Sequence, residues 1–121
     1  MSRARSGSRI FLASLVFAGA ALGQPAAALE YQKAYEALEE HRPDVALPLL
    51  RRAATSGHLE AQRTLGFILL YGDGLYGPFM PRGDAATRRA ESIEWLRRAA
   101  AQGDLSSRHV LNSIGRDAAA R

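Results

Sequence analysis

Residues 49–59, LLRRAATSGHL, and residues 95–105, WLRRAAAQGDL, agree at seven of eleven positions at a shift of 46. The same shift pairs Leu65 with Leu111 and Ile68 with Ile114, so the chain contains an internal duplication. In both copies apolar residues recur at helical spacing, and Gly57 and Gly103 fall where such a helix would stop. The repeated unit is therefore a helix, a glycine turn and the start of a second helix.

Outward from this block the period stays helical. Tyr31, Ala34, Tyr35 and Leu38 line one side of a first segment over residues 30–40, and His41, Arg42, Pro43 and Asp44 read as a turn with Asp44 near the next N-cap. Val45, Leu49, Leu50, Ala53 and Ala54 form the stripe of a second helix, in which Pro48 predicts a bend or a late start. A third helix over residues 59–71 buries Ala61, Leu65, Ile68 and Leu69 and is expected to stop at Gly72, Asp73 and Gly74. After a loop over residues 75–83, a fourth helix begins near Asp84 and runs to Gln102 with Ile93, Leu96, Ala99 and Ala100 inward. Asp104 can cap a fifth helix carrying Leu105, Leu111 and Ile114, with fraying expected from Gly115 to Arg121. These elements predict an all-α fold, a short α-solenoid of antiparallel helical hairpins with about two and a half repeats. The 23 alanines, 7% aromatic content and absence of cysteine in 121 residues agree with one small helical domain and argue against a disulfide-stapled scaffold.

The N-terminus has a different character. Arg3, Arg5 and Arg9 precede IFLASLVFAGAAL at residues 10–22, and Gly23, Gln24, Pro25 and three alanines follow. That order is the layout of a secretory signal peptide. The apolar run of 13 residues is about 20 Å long as a helix, against the roughly 30 Å of a bilayer core. Residues 1–28 are expected to be a cleaved leader, cut after Ala28 with Gly23 as the second position, and residues 29–121 the exported periplasmic or secreted domain. An uncleaved anchor reaching Ala28 is the competing reading, and it would place Gln24 and Pro25 in the membrane. Net charge follows the same division. From residue 29 onward, 13 of the 16 basic residues face all 12 acidic ones, and that near balance argues against a nucleic-acid partner.

The residues from Tyr31 to Ile114 resemble the Sel-one-like repeat family, a relative of the tetratricopeptide repeat. Ala61, Leu65, Gly66, Leu69, Gly72, Gly74 and Leu75 stand in the places of its first half-pattern, and Trp95, Arg98, Ala99, Ala100 and Gly103 in those of its second. Leu69 and Leu96 replace the family's two tyrosines, Glu91 and Ser92 replace Lys-Ala, Ser107 replaces the last alanine, and about ten extra residues separate Gly74 from Trp95. The resemblance implies a non-enzymatic adaptor that mediates protein–protein interaction in a bacterial envelope, without cofactor.

The polar residues favour no catalytic or metal chemistry of their own. His41, His58 and His109 have no i, i+4 pairing of the kind that converges on zinc, and no serine sits in a nucleophile-elbow pattern. The pairs Arg51-Arg52, Arg88-Arg89 and Arg97-Arg98 could bind an anion, but Glu60, Glu91 and Glu94 lie nearby. Two surfaces are the candidates for a partner, an envelope protein or a peptide segment. Arg63, Phe67 and Leu70 point away from the stripe that contains Ala61, and equivalent positions on the first and fifth helices hold Glu36 and His109. Tyr76, Phe79 and Met80, with Leu75, form an apolar loop that either folds back as a lid or projects as a contact. Phe67 and Leu70 packed on a neighbouring helix is the alternative for the first surface. A small peptidoglycan-fragment binder or enzyme in the groove between hairpins, using Glu36 with His109, is the alternative function, and end-to-end stacking of two chains is a further expectation.

Overall fold

Gly57 and Gly103 adopt φ angles of 92° and 98°, the left-handed region that an L side chain resists. Each ends a helix with the same pair of hydrogen bonds. Gly57 N donates to Ala54 O (3.0 Å) and His58 N to Ala53 O (3.1 Å), while Gly103 N donates to Ala100 O (2.9 Å) and Asp104 N to Ala99 O (3.1 Å). The two copies of the sequence block thus turn the chain alike. A third turn has the same geometry: His41 N donates to Leu38 O and Arg42 N to Ala37 O, with His41 at φ 57°.

A computed structural model describes residues 25–121. Among them it places helices α1 (Pro25–Glu39), α2 (Pro43–Thr55), α3 (Leu59–Tyr76), α4 (Ala85–Ala101) and α5 (Leu105–Ala119), with a 3-10 turn at Gly77–Phe79. The protein is all-helical over the described residues, and each helix packs on the next one along the chain. Leu50, Leu65 and Leu96 are wholly buried, and Ala34, Ala46, Ala53, Ala61 and Ala99 let the backbones approach between them. At Gly66 the approach is close, since a Cβ there would lie 2.6 Å from Leu96 Cδ2. Ser92 Oγ donates to Gly66 O across the same crossing at 2.7 Å. No helix among the described residues is long and apolar enough to cross a membrane.

Several boundaries differ from those read in the sequence. α1 begins at Pro25 rather than Glu30, and Ala27 is 1% exposed within the core. A cut after Ala28 would fall inside this helix; the second position, Gly23, and the arginine-led apolar run lie outside the described residues. α2 starts early, not late: Pro43 occupies its first turn, Asp44 lies inside it rather than at its cap, and the helix continues through Pro48. Pro at the first turn loses no bond because those amide groups have no helical acceptor. α3 does not stop at Gly72. That glycine is buried under Met80, whose Cε would lie 2.6 Å from a Cβ there, and the left-handed residue that ends the helix is Gly77. α5 extends past Gly115 to Ala119. The expected cap of α5 is present, Asp104 accepting from Ser107 N at 2.8 Å, and α4, expected to begin near Asp84, is capped by that residue, which accepts from Thr87 N at 2.9 Å.

Candidate functional site

α1 and α3 present their outer faces side by side, and a groove of about 340 Å³ runs between them. Tyr35, Leu38 and Glu39 come from α1, and Thr64, Phe67, Ile68, Leu75 and Tyr76 from α3. Leu38 and Ile68 belong to the buried core and make its floor, while Tyr35 is 51% and Leu75 63% exposed. Spacing explains the wall: on α3 residues 64, 67, 71 and 75 succeed one another at three or four positions and share a face. The Phe67 and Tyr71 rings meet on that face tilted by 54°, with centroids 6.4 Å apart, and Tyr71 is 49% exposed. Tyr31 continues the aromatic row on α1, 6.4 Å from Tyr35 and 5.0 Å from the His58 ring. Partial burial pushes the Tyr76 hydroxyl above its ordinary pKa, and the neighbouring Tyr35 phenol adds to the rise. The groove is therefore mostly apolar and aromatic, with phenol edges and the Glu39 carboxylate in its wall.

The residues expected to meet a partner separate into different roles. Phe67 lines the groove and Leu70 is half-buried beside it. Arg63 is turned toward α5, where Nη1 donates to Asp104 Oδ1 at 2.8 Å, so its charge is spent within the protein. The loop divides as well. Met80 is 8% exposed and closes over Gly72, as a lid would, whereas Phe79 is 58% exposed. Phe79 stacks on the His41 ring at 6.3 Å, and Tyr76 meets the same ring edge-on at 6.0 Å. Those contacts tie the loop to the α1–α2 turn. Three lining residues escaped the sequence reading: Tyr35, read as part of the core stripe, Glu39 and Thr64. Tyr71, which touches Phe67 beside the groove, escaped it too, although its i+4 spacing from Phe67 could have revealed it.

A second cleft of about 470 Å³ lies between α2, α4 and residues 80–84. Its charges are mostly engaged: Arg51 makes two 3.0 Å bonds to Glu91, and Arg88 binds Asp73 Oδ2 at 2.8 Å and Pro81 O at 3.1 Å. The Arg51 guanidinium holds Glu91 below the usual carboxylate range against the opposing effect of burial. Arg52 pairs with Glu30 and Arg98 with Glu94. Arg51, Arg52 and Arg88 therefore bind helix to helix, Arg98 binds within α4, and Arg89 and Arg97 stay exposed on that helix. Among the described residues no group of three or more His, Asp or Glu side chains could hold a metal ion.

No family model, curated protein or solved structure matches this chain.

The site is thus defined by its own chemistry. Leu105, 73% exposed at the start of α5, is a further apolar position outside the groove.

Proposed function

We propose that the protein is an exported, non-enzymatic helical-repeat adaptor whose hairpins stack as a short solenoid of the Sel-one-like kind. It holds a segment of another envelope protein in the groove between α1 and α3. The observation that carries this reading is the strip of Tyr35, Tyr71 and Leu75, each about half exposed or more, beside a core that already closes without them. Large apolar side chains left contiguous at a surface favour contact with a partner. The matching turns at Gly57 and Gly103 support a repeat architecture, and the arginine-led apolar run at the N-terminus supports export. Export leaves α1 whole when the leader is removed after Gly23, which keeps Ala27 in its buried place.

A photo-reactive amino acid placed at Tyr71, and separately at exposed Arg97 on α4, tests the reading in cells. The Tyr71 position is expected to give a discrete protein adduct in the exported compartment, and the Arg97 position none. Equal adducts from both positions, or adducts from Arg97 alone, would contradict it.

A further inference from the structure

The groove carries a charge that its lining has not neutralised. Glu36, Glu39 and Glu40 stand at the end of α1, and the last turn of that helix holds no basic residue. A helix C-terminus bears partial negative charge, so three carboxylates there repel both the helix dipole and one another. None of the three forms an ion pair among the described residues; Glu36 accepts only a 3.4 Å bond from Gln32. Of the three, Glu39 alone lines the groove, and Glu36 and Glu40 stand on the neighbouring faces of the same helix end. The facing wall of Thr64, Phe67, Ile68 and Leu75 has no charge to offset it, and the one arginine of α3, Arg63, is held by Asp104.

We infer that the groove recognises a basic-apolar protein segment, in which a Lys or Arg follows the apolar side chains that fill it. The inference rests on the groove being the partner site. Apolar groups of the segment lie on Leu38, Phe67 and Ile68, and its cation reaches Glu39 while passing the faces of Tyr35 and Tyr76, with Glu36 and Glu40 adding to the negative field of the same helix end. A cation there removes the repulsion at the helix end, so the charge arrangement that is unfavourable in the free protein becomes complementary in the complex. An acidic segment meets the opposite condition.

Three labelled synthetic peptides test this by fluorescence anisotropy. They share one set of Leu and Phe anchors and differ only in a flanking pair of Lys, Gln or Glu. The Lys peptide is expected to bind at least about tenfold more tightly than the Gln peptide at low salt, with the Glu peptide weakest and the preference shrinking as salt rises. The triple substitution Glu36→Gln, Glu39→Gln and Glu40→Gln should abolish the preference and leave Gln-peptide binding in place. Equal binding of all three peptides overturns the inference and leaves the groove reading intact. A Lys preference that survives the triple substitution overturns it too, because the attraction would then come from elsewhere. Binding of none of the peptides removes the groove reading, and this inference with it.

Discussion

Trp95→Ala is expected to destabilise the protein by about 3 to 5 kcal/mol, a large share of the stability of a domain this size. Trp95 is 9% exposed and packs in the main core. Its removal leaves a cavity and also loosens a chain of polar contacts. Nε1 donates to Glu91 Oε2 at 3.1 Å, Glu91 holds Arg51 of α2, and the Arg98 guanidinium lies 4.7 Å from the indole centroid. Trp95→Phe keeps most of the volume and loses the Nε1 bond, so a smaller cost of about 1 to 2 kcal/mol is expected. Urea unfolding followed by circular dichroism measures both variants. Native indole emission should be blue-shifted, and a water-like spectrum with a loss below about 1 kcal/mol for the alanine variant would show that Trp95 does not join the helices.

Asp104→Ala should cost about 2 to 4 kcal/mol, because one carboxylate performs three tasks. It accepts from Ser107 N at 2.8 Å and from Ser107 Oγ at 2.6 Å, which caps α5, and from Arg63 Nη1 at 2.8 Å, which joins α5 to α3. Burial pushes the Asp104 pKa up, but the Ser107 hydroxyl and amide and the Arg63 guanidinium outweigh it, so the group titrates below its ordinary value. A folded-state pKa below the unfolded value contributes stability above the unfolded pKa of about 3.9, and this is lost as pH falls through the folded value. Glu91, lowered by Arg51, acts in the same direction. Unfolding free energy from these groups should hold steady between pH 7 and about pH 5 and decline below about pH 4. The decline should be shallower in Asp104→Ala. An acid limb identical to that of the unsubstituted protein would exclude Asp104 from it.

Helix order and type are legible in this sequence because Ala61, Leu65 and Ile68, or Leu96 and Ala99, repeat at helical spacing, and because Gly57 and Gly103 mark left-handed turns. Asp104 announces the cap of α5 in the same way, and Asp84 marks where α4 begins. Gly72 was misleading for a physical reason. A glycine that gives space to Met80 and a glycine that ends a helix look alike in one dimension. His41 shows the converse, since it takes the left-handed position that glycine fills in the other two turns. The site was legible in part. Periodicity places Phe67 on the outer face, but it gives no sign that Arg63 is neutralised by Asp104, 41 residues away, or that Met80 returns to the core while Phe79 stays outside. Tyr35 shares its helical stripe with Leu38 within one turn, so only the position of α3 decides that it borders a groove.

The central claim is that the aromatic wall serves a partner rather than the fold, and the most direct measurement is thermal unfolding of the triple variant Tyr35→Ala, Tyr71→Ala, Leu75→Ala. All three side chains are about half exposed or more, so the account predicts a loss of no more than about 1 kcal/mol, a shift of roughly 4 to 8 °C in Tm. A loss as large as that of Trp95→Ala would contradict it, because the wall would then belong to the core.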